Sequence, residues 1–189
     1  MKKILLVDNY DSFTYNLKHL ISKCCDYKID VFRNDSFQLN QVEDYHMIIL
    51  SPGPGVPNDA GLCLPLIQKY KDRKKILGIC LGHQAIGMAF GAKLINTEEV
   101  YHGVSSQIVL DTNEKIYSGM PNHVDVARYH SWVIEDHNLP ANLLVTSRDE
   151  NGTIMSLRHR NYKIVGLQYH PESFLTTMGE KIIQNWISS

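Results

Sequence analysis

Apolar residues in the first half of the chain fall in short unbroken runs rather than in alternation. Ile4–Val7 and Met47–Leu50 are such runs, and a strand without polar breaks is one buried on both faces, as in a parallel sheet; Lys75–Cys80 reads as a further strand. Between them Leu17, Leu20, Ile21 and Cys24 recur at helical spacing and mark one buried stripe, with Ser12 placed to cap the helix. Lys28–Phe32 predicts another short strand. Pro65, Leu66, Ile67 and Tyr70 predict a helix with proline in its first turn, and a further helix runs from about His83 to Phe90, with Gly91 at its end. Strand–helix alternation requires crossover connections, so a doubly wound sheet with helices on both faces is expected.

The second half changes character. Lys93–Ile95, Gln107–Leu110, Val124–Tyr129, Leu143–Ser147, Ile154–Arg158 and Ile164–Tyr169 read as short strands, and Asn151-Gly152 predicts a hairpin turn of the primed type. Antiparallel strands therefore extend the parallel core. A last helix is expected over Thr177–Ile187, with Ile182, Ile183 and Trp186 on its apolar side. Nothing resembles a repeat or linker, and residues 1–189 are read as one domain.

Composition narrows the function classes. The chain has 189 residues, 43% hydrophobic and 21% charged, with a formal net charge of −1; this suits a folded domain and gives no electrostatic footprint for nucleic acid or an acidic membrane. Met1-Lys2-Lys3 leads into only a short apolar run before Asp8, so neither a signal peptide nor a membrane span is expected. The four cysteines, Cys24, Cys25, Cys63 and Cys80, form no C-x-x-C pair, and a reducing, cytoplasmic setting is expected. The chain has nine histidines but no H-E-x-x-H or tight His/Cys cluster, so no metal site is expected. His19, His46, His123, His137 and His159 are expected at the surface or at edges. Lys69, Lys71, Arg73, Lys74 and Lys75 read as a solvated helix end and turn.

Ligands of doubly wound sheets bind at the carboxyl ends of the strands, and two such ends carry chemistry. In Gly78-Ile79-Cys80-Leu81-Gly82, glycines on either side of a nucleophile let a strand turn sharply into a helix, the mechanics of a nucleophile elbow with sulfur in place of oxygen. The helix amino terminus favours thiolate, and the Leu81 N–H points toward a developing oxyanion. An isolated pattern of this kind also fits a buried structural cysteine. In His170-Pro171-Glu172, proline favours extended geometry, so residues 170 and 172 share a face and Glu172 can orient the imidazole. A solvated loop histidine is the other reading of that tripeptide alone; next to an activated cysteine it becomes a base held by a third group. The loop Ser51-Pro52-Gly53-Pro54-Gly55 is stiffened by proline and presents the Gly55 N–H, as a second oxyanion donor or as an ordinary loop. It lacks the phosphate-cradle spacings.

The segments Gly78–Gln84, Ser51–Gly55 and Gln168–Ser173 resemble the signatures of class I, triad-type glutamine amidotransferases. Asp8–Asn16 narrows the resemblance to the amidotransferase subunits of anthranilate synthase and aminodeoxychorismate synthase rather than the free-standing amidotransferases of guanylate synthesis. The likeness covers essentially the whole chain and implies a flavodoxin-like α/β fold. It implies Cys80 as nucleophile, His170 as general base and acid, and Glu172 as the orienting carboxylate. Gly55 and Leu81 would supply oxyanion N–H groups. Gln84 and the Gly53-Pro54-Gly55 loop would hold glutamine, as would Ser131 and Trp132, largely through backbone. Trp132 stands where the family usually has leucine, and Val104 follows His102-Gly103 where lysine is common. The implied reaction is glutamine hydrolysis through a thioester, with ammonia passed to a chorismate-binding synthase subunit: component I of anthranilate synthase or of aminodeoxychorismate synthase. No cofactor is implied in this chain; Mg²⁺ would belong to the partner. A non-catalytic binding protein on the same fold, and a hydrolase of other small amides, are the readings from other classes.

Overall fold

The computed structural model describes residues 2–97 and 99–189. In chain order the elements are β1 (Lys3–Asp8), α1 (Thr14–Cys24), β2 (Lys28–Arg33), β3 (Met47–Leu50), α2 (Cys63–Tyr70), β4 (Lys75–Ile79), α3 (Leu81–Ala89) and β5 (Leu94–Asn96). They continue as β6 (Val104–Leu110), β7 (His123–Arg128), β8 (Trp132–Ile134), β9 (Leu143–Asp149), β10 (Ile154–His159), β11 (Ile164–Leu167) and α4 (Gly179–Ser188). A nine-stranded sheet has the order β2-β1-β3-β4-β11-β10-β9-β6-β7, and β5 and β8 form a separate ribbon. From β2 to β11 the pairs are parallel; from β11 to β7 they are antiparallel.

The unbroken apolar runs are explained by the two layers they feed. Ile4 and Leu6 of β1 join Leu17, Ile21, Ile182 and Trp186 on one face of the sheet. Leu5 and Val7 join Leu66, Ile67, Ala85 and Ile86 on the other. Both faces are covered, so no strand position is left for a polar residue.

Three local expectations change. Ser12 does not cap α1, whose N-cap residue, Phe13, has no side-chain cap bond. Asp11 instead accepts from the Phe13 N–H at 2.7 Å, and Asp8 accepts from the Thr14 hydroxyl at 2.8 Å. Ser12 is exposed, and these two carboxylates supply the acceptors at the helix start in its place. The Asn151-Gly152 turn is not of the primed type: Gly152 has φ +81° and Asn151 is not among the positive-φ residues. Asp149 takes the N–H groups of Asn151 and Thr153 at 3.0 and 2.8 Å. This local acceptor favours a type I turn closed by one left-handed glycine. His159 is buried rather than superficial, because its ring lies 4.4 Å from those of both Phe90 and Tyr162.

Candidate active site

Cys80 stands between β4 and α3 with φ +50° and ψ −102°, in the positive-φ region that L-residues avoid. The glycines around it permit the close approach this turn needs. A Cβ on Gly78 would lie 2.3 Å from the Gly82 carbonyl, and one on Gly82 would lie 2.5 Å from the Leu50 carbonyl oxygen. The backbone is pinned on both sides: the Cys80 N–H donates to the Leu167 carbonyl at 2.7 Å, and its own carbonyl accepts from Gln84 N at 3.0 Å. The thiol is left just off the start of α3, whose first N–H groups, beginning with Leu81, no intrahelical carbonyl can satisfy. The helix starts at Leu81, two residues before the predicted His83, because Gly82 and His83 form its first turn directly after the elbow.

The neighbouring strand carries the second half of the constellation. Ile79 of β4 is in register with Leu167 of β11, so the two chain segments leave the sheet side by side. His170 Nδ1 and Glu172 Oε1 are 2.7 Å apart, and both side chains are buried. The His170 N–H donates to the Ala127 carbonyl at 3.1 Å, and the Thr176 hydroxyl donates to the His170 carbonyl at 2.6 Å. Tyr129 packs against the imidazole edge-on, with ring centroids 4.9 Å apart, and Phe13 closes a further side at 6.2 Å. The ring is therefore fixed by backbone, carboxylate and aromatic walls together. Burial alone would push the His170 pKa down; the adjacent Cys80 sulfur and the Glu172 carboxylate outweigh it and raise it above the usual imidazole value. An imidazole flanked by sulfur and carboxylate in this way is suited to taking a proton from the thiol.

The remaining predicted residues surround this core unequally. Gly53 lies where an added Cβ would meet Asn9 at 2.5 Å and the Leu81 side chain at 2.9 Å, so the loop after β3 is pressed against the elbow. Pro54 and Gly55 are exposed, and Gly55 has φ +75° with open space beside it. Gln84 is buried and its amide N–H donates to the Trp132 carbonyl at 2.8 Å, so its donor holds the start of β8 in place. The Ser131 carbonyl accepts from the Thr97 N–H at 2.7 Å. Val104 is 44% exposed at the start of β6, and an added Cβ on Gly103 would lie 3.5 Å from the Tyr129 ring that packs on His170.

Two participants escaped residue-by-residue reading. Gln168 is fully buried and its amide N–H points to the Cys80 sulfur at 3.7 Å. Asn9 bridges strand ends: its N–H donates to Ser51 Oγ at 2.9 Å and its side chain to the Ser51 carbonyl at 2.8 Å. Each lies inside a segment with recognisable chemistry, but only the pairing of β1 with β3 and of β4 with β11 shows what it touches. Cys80 is 5% exposed and His170 2%, so both reacting groups are almost wholly shielded from solvent. A cavity of about 270 Å³ lies between Asn9, Tyr10, Asn34, Pro54 and Leu81, next to the elbow in sequence but with neither Cys80 nor His170 in its wall. Among the described residues no group of three or more His, Cys, Asp and Glu side chains is placed to hold a metal ion, and no helix is long and apolar enough to cross a membrane.

The comparisons agree with this geometry. The chain is 41% identical over 187 residues to an anthranilate synthase component 2 from Pyropia yezoensis, covering 97% of this chain and 98% of the relative. It is 42% identical over 188 residues to the aminodeoxychorismate synthase component 2 of Escherichia coli (strain K12), covering 97% and 98%. A bifunctional protein TrpGD of Thermotoga maritima is 40% identical over 191 residues; this chain is covered in full but spans only 32% of that relative. A solved structure from Thermoplasma acidophilum, described as one of the subunits of a GMP synthase, superposes with a TM-score of 0.88 at 25% identity, covering 100% of this chain and 93% of the other. Residues 5–189 match the family model described as glutamine amidotransferase class-I, and with an elbow cysteine beside a carboxylate-held histidine at the strand ends, the chain belongs to that family.

Proposed function

We propose that this chain is the glutamine amidotransferase component of anthranilate synthase, and that Cys80, His170 and Glu172 carry its glutaminase half-reaction. The observation that carries the reading is the elbow cysteine beside an imidazole held at 2.7 Å by a buried carboxylate. The Cys80 sulfur gives its proton to His170 and attacks the side-chain amide of glutamine. The tetrahedral oxyanion is met by the N–H groups of Leu81 and Gly55, one of which is worth about 2.7–4 kcal/mol in such sites. His170 then protonates the departing amine, leaving a glutamyl thioester and ammonia. Water, deprotonated by the same imidazole, releases glutamate and restores the thiol. Gly53, Pro54, Gln84, Ser131 and Trp132 frame the glutamine.

Ammonia set free in neutral water becomes ammonium, which is no nucleophile, so the product needs a sheltered path into a second protein. Tyr10, Tyr15 and Phe174 are 50%, 67% and 91% exposed and follow β1, begin α1 and follow Glu172, so apolar rings crowd the same end of the sheet. Exposed aromatics of this kind favour a protein partner there. That partner is a chorismate-binding synthase subunit, with Mg²⁺ as its own cofactor and none in this chain. The relatives named above are equally similar under two pathway names, so the aminodeoxychorismate subunit, or one chain serving both, is the second reading. Product analysis of the complex separates them: anthranilate supports the first, aminodeoxychorismate the second.

The chemistry is tested by Cys80→Ala. Glutamine-dependent synthesis by the complex should vanish while synthesis from added ammonium salts at alkaline pH continues. Glutamine-dependent turnover in that variant would remove the nucleophile assignment.

A further inference from the structure

Two hollows lie at the opposite end of the sheet from Cys80, where β4 and β11 begin and β10 ends. One, of about 380 Å³, has Ile116, Val165 and Trp186 in its wall with Lys115, Arg160 and Lys163 around them. A second, of about 500 Å³, shares Lys75, Tyr162, Lys163 and Ser189 with the first, so the two form one trough. Nine of the chain's 19 Lys and Arg residues line it, against two acidic residues, Asp72 and Glu114. In a chain of net charge −1 that is a strong local asymmetry.

Two of the nine are ion-paired: Arg158 with Glu114 at 2.7 Å, and Arg73 with Glu43 at 3.2 Å and Asp72 at 3.8 Å; Lys75 donates to the Ser189 backbone oxygen at 2.7 Å. Among the described residues, Lys115, Arg160 and Lys163 have no carboxylate within 4.0 Å. Crowding leaves a trace on the half-buried member: burial, with Lys163, Lys2 and Lys115 nearby, pushes Lys75 down to about 8. The indole Nε1 of Trp186, in the wall of the first hollow, is buried without a hydrogen-bond partner. Solvated lysines on a convex surface spread apart. Here they converge from four chain segments on a concave, partly apolar floor.

We propose that this trough is a binding site for a small molecule bearing a phosphate or pyrophosphate group. The hollows fall in the size range of small-molecule sites, too confined for a duplex or a folded acidic domain. Lysine ammonium groups and an arginine fork suit phosphate oxygens. The anion would bring the counter-charge that these residues lack, while the apolar floor takes the rest of the ligand. Because it lies at the far end of the strands, its occupant does not compete with glutamine.

The test is calorimetric titration of the full chain with inorganic phosphate, pyrophosphate and ATP at constant ionic strength. Saturable binding of pyrophosphate, alone or together with phosphate or ATP, at one site per chain is expected. Lys115 and Lys163 are exposed and outside the catalytic machinery, so the double variant Lys115→Met, Lys163→Met should fold and bind the same ligand at least about tenfold more weakly. Labelling of Cys80 by a glutamine analogue should be unaltered by ligand or variant. ATP binding without pyrophosphate binding would place recognition on the nucleoside side of the ligand and overturn the proposal. So would an undiminished affinity in the double variant or the absence of saturation by all three anions.

Discussion

Cys80 occupies a backbone conformation that costs about 1–3 kcal/mol and persists only where its surroundings over-determine it. Those surroundings are Gly78, Gly82 and the hydrogen bond to the Leu167 carbonyl. The strain is repaid in position, since the same turn puts the sulfur beside His170. In the proposed reaction the imidazole moves protons and Glu172 only orients it, which orders the variants. His170→Asn should lower glutamine-dependent kcat by about 10²–10⁴. Glu172→Gln keeps an acceptor for Nδ1–H and should lower it less. Steady-state rates of the complex decide this, and a larger loss in Glu172→Gln would reverse the assigned roles. The elbow could be read from two glycines and a cysteine. Gln168, donating to the same sulfur, could not, because it lies 88 residues along the chain and meets Cys80 only through the β4–β11 pairing.

At the scale of elements, one ion pair ties the antiparallel half of the sheet together behind the site. Arg128 at the end of β7 reaches Asp149 at the end of β9 at 2.7 Å, with both side chains almost wholly buried. The Tyr101 ring lies 3.5 Å from the guanidinium, and Arg128 Nε donates to His130 at 3.2 Å. Asp149 also organises the turn into β10. Removing one member of a buried pair leaves the other charge without compensation, which costs about 3–5 kcal/mol. Asp149→Ala should therefore destabilise the chain by about that amount in urea unfolding. A change no larger than that of a surface substitution would show that Arg128 finds water or another partner. The pair was not apparent from the strand pattern: Arg128 lies within the run Val124–Tyr129, and Asp149 lies two residues beyond the run Leu143–Ser147. Neither run says that β6 separates them and that the arginine must reach across it.

For the whole molecule, acid stability depends on two histidines that folding keeps uncharged. Burial pushes His83 down to about 3, and burial, with Arg128 and His170 nearby, does the same for His130. In the unfolded chain both titrate near 6.5. Between those values the unfolded state binds more protons than the folded one, so stability rises with pH. Their contribution is complete above about 6.5 and is lost as pH falls toward about 3. Unfolding midpoints measured from pH 7 to 4 should show this decline, and His83→Leu, which cannot be charged, should flatten it. An unchanged slope in that variant would mean that His83 takes up its proton without unfolding. His83 reads from sequence as one residue of the Gly78–Gln84 segment. Its cost in acid follows from its place in the fold, where Gly166 of β11 lies so close that an added Cβ would fall 2.6 Å from the ring.

What the chain determines by itself is what local physics can express. Unbroken apolar runs mean strands covered on both faces, helical spacing gives the layers above and below, and glycines beside a cysteine give the elbow. From these followed the doubly wound core, the strand ends that matter, and the residues able to do thiol chemistry. Helix starts and turns were less secure, because Asp11 and Asp149 outcompete Ser12 and the Asn151 turn preference for the same N–H groups. Tertiary structure alone decided which distant groups share a space. It put Gln168 on the Cys80 sulfur, buried Arg128 with Asp149, and drew lysines from separate segments into one hollow. Those contacts depend on strand order and register, and a strand's residues alternate between faces without naming the neighbour that will lie beside them.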